Sequence, residues 1–125
     1  MRLNHLDLPV PDVAATAAFF TTHFGFRLGE TRGNNGFALL LGEGGFVLVL
    51  TRRRAQGVQG FPDTFHIGFA QEAEAHVHAL HARLRAAGVD GLPDVSCQRG
   101  ATLFYVQAPG GVLVEVSYRA PASVN

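Results

Sequence analysis

Two stretches of the chain, GGFVLVLT at residues 44–51 and GGVLVEVS at residues 110–117, have nearly the same sequence. Each has two glycines followed by an apolar run, which is typical of a buried β-strand that follows a tight turn. The stretches differ most consequentially at one position, where the first has Val49 and the second has Glu115. A carboxylate on an apolar strand is costly unless it has a partner. The sequence therefore predicts a repeated strand and a partner for Glu115.

A second pair of stretches extends the repeat over the whole chain. NHLDL at 4–8 resembles FHIGF at 65–69 and places His5 over His66. A helical pattern follows each of them, at about 11–24 and 71–89, and three strand patterns follow each helix. The three strands are expected near 27–32, 36–41 and 45–51 in the first half, and near 94–98, 101–108 and 112–118 in the second.

This element order predicts an α+β fold of two βαβββ modules. The modules are expected at about 1–52 and 63–119, with a connector at 53–62, in a single domain of residues 1–125.

The composition excludes some partners. The ten basic residues balance the ten acidic ones, so the charge offers no attraction to nucleic acid or to a membrane surface. The start of the chain lacks the pattern of a signal peptide, and no apolar run approaches the length of about 20 residues needed to cross a bilayer. Cys97 is the only cysteine and is interpreted as a small, half-buried residue. A cytoplasmic protein without disulfides is therefore expected.

Three residues are candidates for a metal site. If the two halves are related by a two-fold axis, His5, His66 and Glu115 converge, with Val49 at the fourth position. Taken alone, a histidine on an apolar strand is usually a core or edge residue, and a glutamate usually faces solvent. Together, two imidazoles and one carboxylate suit a divalent ion such as iron, manganese, zinc or nickel.

The chain resembles the vicinal oxygen chelate superfamily, which includes glyoxalase I, fosfomycin-resistance thiol transferases, extradiol dioxygenases and bleomycin-resistance proteins. The matching pieces are NHLDLPVPDVAATAAFF with FGF, then FHIGFA, and finally LFYVQAPGGVLVEVS. The resemblance implies two βαβββ modules that form a cup-shaped mixed β-sheet with flanking helices. It also implies metal ligands at His5, His66 and Glu115, and a homodimer in which a site lies within one chain or is shared by two.

Departures from the family pattern narrow the expected activity. Glyoxalase I has a further acidic ligand on the strand where this chain has Val49, so glyoxalase I activity is not expected. The family's usual aspartate before the Pro-Gly turn is Ala108 here, which affects the turn more than the chemistry. Bleomycin-binding members lack the metal-binding residues and tend to be acidic, and this chain has neither property.

Two further residues are candidate catalytic groups. Asp7 lies two residues after His5 and so shares its strand face; it is expected either to act on a substrate or to bind a neighbouring protein group. Tyr105 has the spacing from Glu115 of a cavity tyrosine in the thiol transferases. It is expected either to bond a substrate oxygen or to be a core tyrosine with a hydrogen-bonded hydroxyl.

Other charged groups are less specific. Arg52, Arg53, Arg54 and Arg99 either face an anionic substrate or form a solvated surface. The three histidines of the second helix, His76, His78 and His81, are interpreted as surface residues.

The sequence as a whole predicts a metal-dependent enzyme for a small oxygen-bearing substrate, of dioxygenase or transferase/lyase type. The competing prediction is a non-catalytic protein of the same fold that binds a small molecule.

Overall fold

The structure, a computed structural model, describes residues 1–53 and 60–122. Arg54 and most of the predicted connector lie outside the described residues. The first module consists of β1 (His5–Val10), α1 (Val13–His23), β2 (Arg27–Arg32), β3 (Phe37–Leu41) and β4 (Val47–Arg52). The second consists of β5 (His66–Ala70), α2 (Glu74–Ala86), β6 (Ser96–Gln98), β7 (Ala101–Gln107) and β8 (Leu113–Arg119).

Each module forms one four-stranded mixed sheet. The strand orders are β1-β4-β3-β2 and β5-β8-β7-β6, so both sheets pair their first strand with their last. That pair is parallel, and the other pairs are antiparallel. A parallel pair needs a long crossover, which the helix after the first strand begins. The predicted α+β fold of two βαβββ modules is confirmed.

The chain divides into two compact units. Unit 1 contains Met1–Phe61 and Ala108–Gly111, and unit 2 contains Pro62–Gln107 and Val112–Asn125. In both units the residues of the central strands alternate between buried and half-buried. The fully buried face of each sheet packs against its helix, whose core side chains are Phe20 in α1 and Leu84 in α2. The other face of each sheet carries the candidate functional residues.

The start of α1 is fixed by side-chain hydrogen bonds. Asp12 caps the helix by accepting a hydrogen bond from the Ala15 amide at 3.0 Å, and it also accepts one from the Asn35 side chain at 3.1 Å. These donors hold the pKa of the Asp12 carboxyl below its usual value. The Thr16 hydroxyl bonds the Asp12 carbonyl at 2.8 Å and the Pro109 carbonyl at 3.3 Å, which ties the turn at 108–111 to the same helix.

Two expectations about single residues are wrong. His81 is buried, at 7% exposure, because its Nε2 lies 2.7 Å from the Pro93 carbonyl oxygen and its ring packs edge-on against Phe104. The helical pattern alone did not reveal the segment that covers it. Cys97 is exposed rather than half-buried, because β6 is an edge strand.

Among the described residues, no helix is long and apolar enough to cross a membrane.

The turn at 108–111 offers a matched test of packing. Gly110 and Gly111 both have positive φ, at 88° and 85°. A Cβ at Gly110 would lie 2.8 Å from Cδ of Pro11, whereas a Cβ at Gly111 would meet nothing within 4 Å. We expect Gly111→Ala to lower the free energy of unfolding by about 1–2 kcal/mol through backbone strain. Gly110→Ala should lower the free energy of unfolding by about 1–3 kcal/mol more than Gly111→Ala does, because Pro11 must move.

Urea unfolding of the two variants and of the parent protein measures how much free energy of unfolding each substitution removes. Equal losses in the two variants would contradict the packing of this turn against Pro11.

Candidate functional site

In unit 2, Glu115 lies between Gly68 and Tyr105 on the half-buried face of the sheet. Gly68 is its register partner on β5, and Tyr105 is its partner on β7. The Tyr105 hydroxyl donates a hydrogen bond to Oε1 of Glu115 at 3.0 Å. Oε2 lies 3.3 Å from the place where a Cβ at Gly68 would stand, so the carboxylate extends over β5. Among residues 1–53 and 60–122, the hydrogen-bond partner of Glu115 is therefore Tyr105, through Oε1, and none of these residues bonds Oε2.

His66 lies on the same face, two residues before Gly68. Its ring packs edge-on against Tyr105, with 5.8 Å between ring centroids. Its Nδ1 is 2.9 Å from the carbonyl oxygen of Thr64. Because a carbonyl only accepts hydrogen bonds, Nδ1 carries the proton, and Nε2 of the neutral ring keeps its lone pair. A histidine held in this way is typical of metal-ligating histidines.

Unit 1 presents a similar pair of groups, His5 and Asp7, on β1. Nδ1 of His5 is 2.7 Å from Oδ1 of Asn4, so donation to Asn4 again leaves Nε2 with the lone pair. Oδ1 of Asp7 accepts a hydrogen bond from the Thr51 hydroxyl at 2.8 Å, and Oδ2 has no hydrogen bond within the part of the chain that the structure describes. The register partner of Asp7 on β4 is Val49. Both His5 and Asp7 are exposed.

The environment of Tyr105 favours its neutral form. The hydrogen bond to Glu115 is the main cause that raises the pKa of the phenol above its ordinary value of 10.0. Burial and the negative charge of Glu115 act in the same direction, and the positive charge of Arg99 acts weakly against them. Tyr105 is thus a proton donor throughout the physiological pH range.

The predicted metal ligands are divided between the two units: His5 lies in unit 1, and His66 and Glu115 lie in unit 2. Among residues 1–53 and 60–122, no three His, Cys, Asp or Glu side chains form a group that could hold a metal ion. Each unit presents one imidazole and one carboxylate on its strand face: His5 with Asp7 in unit 1, and His66 with Glu115 in unit 2.

The arginines near the end of β4 bond to the backbone. Arg52 donates through Nε to the Asn35 carbonyl at 3.1 Å, and Arg53 donates to the Pro9 carbonyl at 3.3 Å. Arg53 also stacks over the ring of Phe61 at 5.1 Å. Arg99 has a positive φ of 51°, and its carbonyl accepts a hydrogen bond from Arg119. These contacts give Arg52 and Arg53 structural roles in unit 1.

Four residues at the site were missed from the sequence: Asn4, Thr51, Thr64 and Gly68. The only pattern that pointed to Thr51 was its position in the repeat, where the second half has Ser117.

A cavity of about 480 Å³ in unit 1 is lined by α1, β2 and β3, including Ala17, Leu28 and Phe37. Neither His5 nor Asp7 lines it, so this cavity is separate from the candidate site.

Two βαβββ modules in one chain are the architecture of a class of protein, the vicinal oxygen chelate fold. The chain belongs to the Glyoxalase/Bleomycin resistance protein/Dioxygenase superfamily, whose model matches residues 2–116. A solved structure described as a possible glyoxalase from Bacillus cereus is 40% identical, with a TM-score of 0.78 and coverage of 93% of this chain and 97% of that one.

More distant structures show the same fold. A lactoylglutathione lyase from Agrobacterium tumefaciens is 20% identical, with a TM-score of 0.73 and coverage of 94% of this chain and 92% of its own. The genomically encoded fosfomycin resistance protein FosX from Listeria monocytogenes is also 20% identical, with a TM-score of 0.74 and coverage of 96% and 94%. No significant match was found among curated proteins.

The raised pKa of Tyr105 gives a pH prediction. The chain has two tyrosines, so in a Tyr118→Phe background the phenolate absorbance reports Tyr105 alone. In metal-free protein we expect its titration midpoint above 10.0, lower in Glu115→Gln, and lowest in Glu115→Ala, which removes both charge and acceptor. Because the folded-state pKa is raised, the hydrogen bond stabilises the protein below pH 10 and is lost as pH rises through the folded-state pKa.

Ultraviolet titration measures these midpoints, with circular dichroism to confirm that each variant stays folded. The same midpoint in all three proteins would contradict the hydrogen bond to Glu115.

Proposed function

We propose that the protein is a divalent-metal-dependent enzyme of the vicinal oxygen chelate type. It acts on a small oxygen-bearing substrate by dioxygenase-like or transferase/lyase-like chemistry and has no glyoxalase I activity. His5, His66 and Glu115 are the proposed metal ligands. The observation that carries the proposal is that both histidines bond an oxygen through Nδ1 and keep the Nε2 lone pair for a metal.

The donor set fits a divalent ion of the first transition series. Neutral imidazole nitrogens and a carboxylate oxygen suit iron, manganese, zinc or nickel. Glu115 has one oxygen held by Tyr105 and the other available, which is how outer hydrogen bonds commonly orient a metal-ligating carboxylate. A bound ion would supply Lewis-acid polarisation of a substrate oxygen.

Asp7 and Tyr105 are the proposed catalytic residues. The free oxygen of Asp7 would take a proton from the substrate or accept a hydrogen bond from its hydroxyl, while Thr51 holds the other oxygen. Tyr105, kept protonated beside Glu115, would hold that carboxylate in place and use its hydroxyl oxygen to accept a hydrogen bond from the substrate. Both roles need the substrate on the strand face that also carries the histidines.

Val49 supports the exclusion of glyoxalase I chemistry. It stands on β4 where Glu115 stands on β8, and a valine neither binds a metal nor transfers a proton. The description "possible glyoxalase" belongs to the Bacillus cereus protein. For this chain we expect no conversion of a glutathione hemithioacetal under conditions in which the protein is loaded with metal.

The second candidate function is small-molecule binding without catalysis. It is favoured by the absence, among the described residues, of a three-residue group able to hold a metal. The exposure of His5 and His66 also favours binding without catalysis. We propose a homodimer in either case, and a catalytic site would draw its ligands from one chain or from both.

Elemental analysis tests the metal proposal. After dialysis against a mixture of trace metals, the parent protein should hold near-stoichiometric iron, manganese, zinc or nickel, and Glu115→Ala should lose it. His78→Ala is the matched control, because His78 is an exposed residue of α2 in the same unit and its loss should leave the metal content unchanged. Absence of metal from the parent protein would overturn the enzyme proposal.

His5→Ala separates the two candidate functions. In an enzyme of the proposed kind, this variant should lose both metal and activity while remaining folded. In a binding protein it should keep the affinity for its ligand, which a screen by thermal shift would detect. A variant that keeps full metal content would remove His5 from the proposed ligand set.

A further inference from the structure

We propose that Arg99 and Arg119 form a binding subsite for an oxyanion group, a carboxylate or a phosphate, at one end of the strand face that carries Glu115 and Tyr105. The subsite lies entirely within unit 2. It deepens the proposed function by naming the substrate as an anionic molecule, and it rests on that function in one respect, the assignment of the anion to a substrate.

The strand register places Arg119 on the same face as Glu115. The two residues are four positions apart on β8, and side chains an even number of positions apart on a strand share a face. Their register partners on β7 are Ala101 and Tyr105. At a rise of about 3.3 Å per residue, the Cα atoms of Glu115 and Arg119 are about 13 Å apart. One small molecule, together with the two long side chains, can span that distance.

The turn between β6 and β7 brings Arg99 next to Arg119. Gln98 and Ala101 are register partners, so Arg99 and Gly100 are the two central residues of this turn. Nη1 of Arg119 donates a hydrogen bond to the Arg99 carbonyl, and it lies 3.2 Å from the place where a Cβ at Gly100 would stand. The guanidinium of Arg119 therefore lies against the backbone of the turn that carries Arg99.

No acidic side chain balances the positive charge at this end of the face. The four strands of unit 2 contain one acidic residue, Glu115. Among residues 1–53 and 60–122, the side chain of Arg99 has no hydrogen bond or ion pair, and that of Arg119 bonds only a backbone carbonyl. Guanidinium groups bind carboxylate and phosphate oxygens through several parallel hydrogen bonds, so two neighbouring groups with unused donors suit an oxyanion.

The charge of Arg99 acts on the face where the candidate catalytic groups lie. It opposes the rise in the pKa of the Tyr105 phenol, so its field extends over that face. Between the arginines and Glu115 lie Leu103 and Ser117, which are register partners. The matching ligand therefore has an anionic group at the arginines, a short body over Leu103 and Ser117, and further oxygen atoms near Glu115.

The backbone of Arg99 supports a role for its side chain. Its φ of 51° lies in the left-handed region, which asparagine and glycine tolerate better than arginine does. Two-residue turns with positive φ at both positions favour Asn-Gly or Asp-Gly, whereas this chain has Arg-Gly. Arginine is thus a poor choice for the turn itself, and an unfavourable backbone conformation of this kind is often associated with function.

Phosphate binding to the metal-free protein tests the subsite. Inorganic phosphate is titrated against sodium chloride of the same ionic strength, and binding is followed by the amide NMR signals of Arg99 and Gly100. In the parent protein these signals should shift to saturation. Arg99→Asn and Arg119→Gln should each weaken phosphate binding about tenfold or more, because each removes charge-assisted hydrogen bonds. Arg83→Gln is the matched control, since Arg83 is exposed on α2 and its loss should leave phosphate affinity unchanged.

Urea unfolding separates anion binding from a structural role of the Arg99 side chain. Arg99→Asn should raise the urea midpoint, because asparagine adopts the left-handed conformation more readily, while the same variant loses phosphate affinity. A side chain that served only the structure would give the reverse result, with a lower urea midpoint and unchanged phosphate binding.

The outcomes separate this inference from the proposed function. If the parent protein holds no metal after dialysis but its phosphate binding depends on Arg99, the metal-dependent enzyme fails and the subsite stands as part of a binding protein. If the parent holds metal but binds no phosphate to saturation, the inference alone is overturned. Equal phosphate affinity in the parent, Arg99→Asn and Arg83→Gln would mean an adventitious ion only and would also overturn it. If Arg119→Gln does not fold, the comparison of Arg99→Asn with Arg83→Gln decides.

Discussion

The parallel pairing of the first and last strands of each module is the constraint on which the rest of the structure depends. It requires a crossover, and the helix in that crossover covers one face of the sheet. The buried face of each module is accordingly the one that packs against α1 or α2. The candidate polar residues lie among apolar side chains on the other face, and the register of the parallel pair decides which residue stands opposite each of them.

On that face, the two modules meet the same requirement with different residues. Glu115 is half-buried and needs a donor, whereas Asp7 is exposed, yet each of the two carboxylates receives a hydrogen bond from a hydroxyl on an adjacent strand. The two histidines also have similar hydrogen bonds, since Nδ1 of each lies beside an oxygen acceptor from a residue one or two positions earlier in the chain. Such short-range acceptors fix the ring orientation at little entropic cost, because both partners lie on the same strand or its approach.

Much of the fold was predictable because its patterns are local. A helical pattern at about 11–24 identified α1, and the glycine pairs followed by apolar runs identified the turns before β4 and β8 and those two strands. The repeat of His5 and His66 singled out the candidate site. The predictions that failed concern tertiary surroundings: the chain near Pro93 buries His81, and the edge position of β6 exposes Cys97.

The sequence by itself determined the two modules, the strand faces, and which residues carry imidazole and carboxylate groups. It determined these because strand and helix periodicity depend on neighbours within a few residues. Only the tertiary structure decided that Tyr105 bonds Glu115, that Thr51 bonds Asp7, and that Gly68 leaves space for a carboxylate. Those contacts join strands that are distant in the chain, so they depend on strand order and register, which no local pattern specifies.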